Sequence, residues 1–214
     1  MNPEVGKIGV YGMGDVGRKT IMTQIYNELS EKDVFEIVIW VVVSSSFNEK
    51  ELQNKIAERL HCQLSSSADL MSRAQVLYGA FRRRRNFVII LDGIWNRVSL
   101  QNMGIPEPNR SNGSKVVWTT RFIDVCNSME SEREIKVEGL TDEEAWSLFK
   151  DKVGADDVLI STEIQPIAKQ VVGECGRLPL ALITVGRALR KAHQLSVWRN
   201  ALQQLKECGR LDYS

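Results

Sequence analysis

Lys7-Ile8-Gly9-Val10-Tyr11-Gly12-Met13-Gly14-Asp15-Val16-Gly17-Arg18-Lys19-Thr20 is the stretch on which the fold turns. Its first five residues read as a short apolar strand, and the glycines at 12, 14 and 17 as a tight turn. Apolar residues then recur at Ile21, Met22, Ile25, Tyr26 and Leu29, which is helical spacing. A strand that passes through a glycine turn into the start of a helix gathers backbone N–H groups at the positive end of the helix dipole, and such an arrangement holds anions. By itself the pattern is equally a strand-to-helix turn with no ligand.

Working outward, residues 34–43 form a second apolar run broken only by Glu36, as expected of a strand covered on both faces. Leu52, Ile56, Ala57 and Leu60 mark a helix, and residues 71–82 another. Further strands are expected over 87–91, 115–119 and 133–137, with an exposed loop over 104–114. Strands alternating with helices predict an α/β fold, a parallel sheet with helices on both faces. The pattern then becomes all-helical. Thr141 and Glu144 have capping-box spacing, and helices are expected over 143–152, 162–175, 179–192 and 197–207, with Pro179 in a first helical turn. These features predict two domains, 1–138 and 139–214.

Composition narrows the classes of function. Hydrophobic residues at 43% and charged residues at 26% fit a folded, soluble protein and argue against disorder. A net charge of +1 gives no electrostatic bias towards nucleic acid or acidic membranes. Cys62, Cys126, Cys175 and Cys208 are far apart and the chain has 2 histidines, so neither a zinc site nor a disulfide framework is expected. Reduced thiols, no secretory leader and no apolar run longer than 37–43 predict a cytoplasmic protein without a membrane span. Cys126 and Cys175 are expected as small buried residues, and Trp146 and Phe149 as core. The basic run 82–85 reads as a helix end favoured by the dipole, with a nuclear-localisation patch as the other reading.

The chemistry lies in the loop. A phosphate loop needs Gly, four residues, Gly, then Lys and Ser or Thr. Gly12 and Gly17 have that spacing, but Arg18 stands at the lysine position and Lys19 at that of the magnesium-binding hydroxyl. The strand 87–91 ends in Asp92, the form of a segment whose aspartate helps hold Mg²⁺. No Asn-Lys-x-Asp guanine-reading motif occurs, which favours adenine.

Six segments in order carry a family resemblance: VYGMGDVGRKT at 10–20, FEIVIWVVVS at 35–44, FVIILDGIW at 87–95, GSKVVWTTR at 113–121, KVEGLTDEEAWSLF at 136–149 and CGRLPLAL at 175–182. The chain resembles the NB-ARC domain of plant nucleotide-binding leucine-rich-repeat resistance proteins, those with an N-terminal coiled coil in particular. The resemblance implies a P-loop NTPase sheet domain followed by a small all-helical ARC1 module. By the same resemblance the family's second ARC module, coiled coil and repeats are expected to lie outside these 214 residues. It also implies an ADP- or ATP-dependent switch in defence, with adenine nucleotide, other domains of the parent receptor and further copies as partners. By the same resemblance Gly12, Met13, Gly14, Asp15, Val16, Gly17, Arg18, Lys19 and Thr20 cradle the phosphates, Arg121 is a sensor of the terminal phosphate, Pro179 with Leu180 lies by the base, and Asp92 meets Mg²⁺.

Departures from the family pattern are concentrated in the chemistry. Asp15 and Arg177 stand where glycines are usual, Arg18 and Lys19 replace Lys-Thr, and Gly93 replaces the acid that polarises the attacking water. Arginine binds phosphate as a planar fork and not as a compact point charge, while Lys19 removes a metal ligand and adds positive charge in its place. Nucleotide binding is therefore expected to be weak and independent of magnesium, and hydrolysis slight, so no residue is assigned a catalytic role. The competing expectation is a pseudo-NTPase scaffold that binds proteins instead of nucleotide. Gly93 and the helical tail argue against a working ATPase of another P-loop family.

Overall fold

The structure, a computed structural model, describes residues 4–44, 46, 48–109, 111–154 and 156–211. Cα proximity divides the chain into two compact units, one of Met1–Met13 with Arg18–Val137, the other of Gly14–Gly17 with Glu138–Ser214.

The first unit is a five-stranded parallel sheet in the order β2-β3-β4-β1-β5, built from β1 (Lys7–Tyr11), β2 (Ile37–Val42), β3 (Phe87–Ile94), β4 (Lys115–Thr120) and β5 (Arg133–Lys136). Around it lie α1 (Arg18–Glu31), α2 (Glu49–Leu60), α3 (Leu70–Arg82) and α4 (Ile123–Ser128). Parallel pairing needs long crossovers, and helices supply three of the four, so the apolar runs of the central strands are hidden. Val88, Ile89, Ile90 and Leu91 of β3 are wholly buried, and so is every residue of β4. Because all five strands run the same way, their carboxyl ends share one edge, where open α/β sheets bind ligands.

Three local departures from sequence expectation have physical causes. β2 begins at Ile37 and not at 34, because the Asn86 side chain takes over the pairing before it: Nδ2 donates to the Val34 carbonyl at 3.1 Å and Oδ1 accepts from the Glu36 N–H at 2.9 Å. Only one face of β2 is fully covered. Ile39 and Val41 are buried whereas Val42 is 53% exposed, as fits an edge strand, and the other face rests partly on α1 through an edge-on Tyr26–Trp40 contact at 5.7 Å. α4 leaves no periodic signal in the sequence, since its six residues are too few for one to register. It nonetheless explains Gly9 in β1. A Cβ there would stand 2.6 Å from the Cys126 sulfur and 3.1 Å from Trp118 Nε1, so glycine lets α4 approach the sheet.

α2 and α3 are joined by a buried cation. The guanidinium of Arg73, 3% exposed, donates from Nε to Gln53 Oε1 at 2.9 Å, from Nη1 to the Ser65 carbonyl at 2.9 Å, and from Nη2 to the Lys50 carbonyl and Asn54 Oδ1. Gln53 is itself buried and donates to the carbonyls of Leu70 and Asn102. Its partners satisfy donors that would each cost about 1–3 kcal/mol if left alone.

The second unit contains α5 (Asp142–Val153), α6 (Asp156–Leu159), α7 (Ile164–Glu174), α8 (Pro179–Ala188) and α9 (Leu195–Leu211). α5 opens with a reciprocal capping box: the Glu144 N–H donates to Thr141 Oγ1 at 3.2 Å and the Thr141 N–H to Glu144 Oε2 at 2.8 Å. Phe149, Leu182 and Trp198, all wholly buried, sit at the centre of its core, and Trp198 keeps its N–H satisfied on the Ala192 carbonyl at 2.8 Å. Burying each such side chain contributes about 2–3 kcal/mol. α8 ends at Ala188, four residues before the expected 192, where the backbone turns and Lys191 adopts a φ of 60°. Among the described residues no helix is long and apolar enough to cross a membrane.

Candidate functional site

Gly12 and Val16 are buried, and Met13, Asp15, Lys19 and Thr20 are exposed. The loop turns through left-handed backbone at Asp15 (φ 61°) and Gly17 (φ 92°), and α1 begins at Arg18. Glycine adopts that conformation freely, while an aspartate there is held at a cost. The Arg18 guanidinium donates through Nη1 to the Thr120 carbonyl at the end of β4. Lys19, one residue on, lines a groove of about 550 Å³ between α1, β2 and α2, together with Tyr26, Trp40, Lys55 and Arg59.

The carboxyl ends of β3 and β4 form a second part of the site. Thr119, 2% exposed, donates its hydroxyl to Asp92 Oδ1 at 2.6 Å and accepts the Gly93 N–H at 2.8 Å. The Asp92 carbonyl accepts from the Val43 N–H at 2.8 Å, which ties β2 to the same edge. Gly93 has a φ of 86°, and the β3–β4 register slips between Leu91 and Ile94. β3 thus runs past Asp92 to Ile94, three residues beyond the apolar run 87–91 that the sequence predicts as a strand. Arg121 is exposed, and its guanidinium carbon lies 5.2 Å from the centre of the Trp95 ring.

In the second unit Pro179 occupies the first turn of α8, and its Cγ stands 3.8 Å from where a Cβ on Gly17 would be. Leu180 beside it is 53% exposed. Arg177 holds a φ of 60°, and its Nε lies 3.0 Å from Asp142 Oδ1. Both charged residues at expected glycine positions, Asp15 and Arg177, therefore sit in backbone that favours glycine.

The first unit thus brings Arg18, Asp92 and Arg121 to the sheet edge, while Lys19 lines the groove between α1, β2 and α2. Sequence reasoning missed Thr119 and Trp95. The available signals were their places, two residues before Arg121 and three after Asp92. The residues present fit a magnesium ion poorly. Lys19 offers no oxygen, one Asp92 oxygen is engaged by Thr119, and among the described residues no three His, Cys, Asp or Glu side chains are grouped to hold a metal.

Comparison with known proteins agrees with this architecture. Disease resistance protein At4g27190 of Arabidopsis thaliana is 40% identical over 204 residues, covering 94% of this chain and 20% of its own length. Disease resistance protein SUMM2 of the same plant is 40% identical over 201 residues, covering 92% of this chain and 22% of its own. The chain therefore spans about a fifth of the length of these relatives. Among solved structures, the ORC2 protein of Aeropyrum pernix aligns with a TM-score of 0.61 at 13% identity, covering 94% of this chain and 62% of that one. The Cdc6p protein of Pyrobaculum aerophilum aligns at 0.57 and 14%, covering 88% and 59%. At such identities the likeness is one of fold. A profile of the NB-ARC domain matches residues 1–159, and with nearly three-quarters of its length so matched the chain belongs to the NB-ARC family, the domain found in plant disease resistance proteins.

Proposed function

We infer that the chain is the nucleotide-holding core of a plant immune receptor switch, closed on ADP and opened by ATP for assembly with other receptor domains and further copies. The observation that carries this reading is a glycine turn leading from β1 into α1, in a parallel sheet whose neighbouring strands carry Asp92 and Arg121 at their carboxyl ends. In this reading residues 1–138 bind the nucleotide and 139–214 are the ARC1 module, in the cytoplasm. The loop N–H groups of residues 12–17 and the start of α1 hold the phosphates, Arg121 reads the terminal one, and Pro179 with Leu180 lies by the base.

Binding is weak and hydrolysis slight. Asp15 places a carboxylate in the loop, and Arg18 donates to the Thr120 carbonyl. At Gly93 the chain offers no acid to polarise water, a contribution typically worth about 10²–10⁴-fold. No step is assigned to magnesium. The second reading, a pseudo-NTPase scaffold, is favoured by the same Arg18–Thr120 bond, which occupies the guanidinium within the protein. Denaturing the purified chain and identifying released adenine nucleotide by chromatography separates the two: near-stoichiometric ADP supports the switch core, and a folded but empty protein supports the scaffold.

A further inference from the structure

Arg121 and Phe122 both meet Trp95, although Trp95 follows β3 and the other two follow β4. The guanidinium carbon lies 5.2 Å from the ring centre, and the Phe122 ring packs at 5.8 Å with the planes 60° apart. Trp95 is 40% exposed and Phe122 47%, so the cluster stands on the surface at the carboxyl edge of the sheet. Among the described residues Arg121 forms no ion pair or hydrogen bond, in contrast to Arg18, which holds a backbone carbonyl. Its one attachment is therefore the weak attraction of a cation for an aromatic face, which a phosphate, charged and offering a bidentate geometry, readily outcompetes.

We propose that Trp95 is a positioning residue for Arg121: its indole face is where the guanidinium rests until a terminal phosphate draws it away, and the strength of that hold sets the preference between nucleoside di- and triphosphate. The proposal rests on the reading of Arg121 as a phosphate sensor. Phe122 fixes the indole edge-on, so the resting place is built from both strand exits and does not depend on one flexible side chain. A triphosphate must detach Arg121 from Trp95 in order to use it, whereas a diphosphate need not.

The test compares ADP with a non-hydrolysable ATP analogue by calorimetry on the purified chain and on Trp95→Leu, Trp95→Phe, Arg121→Gln and the Trp95→Leu/Arg121→Gln double variant, with thermal melts to verify folding. Leucine keeps apolar bulk against Phe122 without an aromatic face. Trp95→Leu is expected to tighten the ATP analogue by roughly two- to fivefold, the range of an exposed cation–π contact, while ADP moves less than twofold. Trp95→Phe should stay close to the parent, and in the Arg121→Gln background Trp95→Leu should have no effect on the ATP analogue. Equal shifts for both nucleotides, no shift, or a Trp95→Leu effect that persists without Arg121 overturns the proposal while the nucleotide reading stands. Failure of the parent chain itself to bind either nucleotide removes both.

Discussion

Thr119 stands between Asp92 and Gly93, giving a hydroxyl hydrogen to the carboxylate at 2.6 Å and taking the backbone N–H at 2.8 Å. One buried side chain thus fixes Asp92 and fastens the bulged last residues of β3 to β4. Valine has nearly the same shape and neither capacity. Thr119→Val should lower the unfolding free energy by about 1–3 kcal/mol, and Thr119→Ser by less, since the serine keeps both bonds. Denaturant titration gives the comparison, and equal losses for the two variants would show that the hydroxyl contributes nothing.

α3 carries a glycine with no structural duty. Gly79 lies inside the helix, and a Cβ added there would meet nothing within 4 Å. Gly79→Ala should stabilise the chain by about 1 kcal/mol through the unfolded state. Gly104 is the contrasting case, with a φ of 66° and a Cβ position that runs into the Ala74 carbonyl. Gly104→Ala should cost about 2–4 kcal/mol. Melting temperatures that moved in the same direction for both would contradict the argument.

The loop substitutions predict that binding can be restored. Arg18→Lys with Lys19→Thr removes the tie to the Thr120 carbonyl and returns a compact cation and a hydroxyl to the loop. ADP affinity should rise roughly tenfold, the size of one charge-assisted hydrogen bond, and should become dependent on magnesium. Asp15→Gly should add to this by removing a carboxylate and a strained φ of 61°. Calorimetry with and without the metal decides the matter, and an affinity unchanged in the double variant would locate the defect elsewhere.

Burial pushes the Cys175 thiol from 9.0 up to about 11, with the Glu174 charge as a smaller cause. The folded chain therefore keeps a proton that the unfolded chain releases. Stability from this group is complete below about pH 9 and is lost as pH rises from there towards 11. Cys175→Ala should flatten the decline in stability over that interval. At pH 8 a thiol reagent should label exposed Cys208 far faster than buried Cys175, as mass spectrometry of the intact protein would read.

Much of the first unit could be read from apolar runs, because β3 and β4 are central strands whose burial on both faces leaves a continuous signature in the chain. β2 was harder to delimit, since the pairing before Ile37 passes to the side chain of Asn86, fifty residues on from Glu36. The turn between β1 and α1 could be read from its glycine spacing, and Asp92 stood out because it closes the apolar run 87–91. Trp95, Thr119 and Arg73 did not. Each acquires its part through a partner on another element, Arg121, Asp92 and Gln53 respectively, and such pairings leave no periodic trace.

Among the described residues β2 and β5 are the outermost strands of the sheet, and they differ in how they receive an incoming strand. β5 presents four exposed residues, three of them charged (Arg133, Glu134 and Lys136), and a second chain seeking to pair there must strip water from all three. β2 offers Ile37–Val42, six apolar residues with Val42 already more than half in water. Unwanted growth of the sheet is thus one-sided. If the protein precipitates on storage, the first strand to be captured will add along β2, and a lysine at position 42 is the substitution that should keep it in solution.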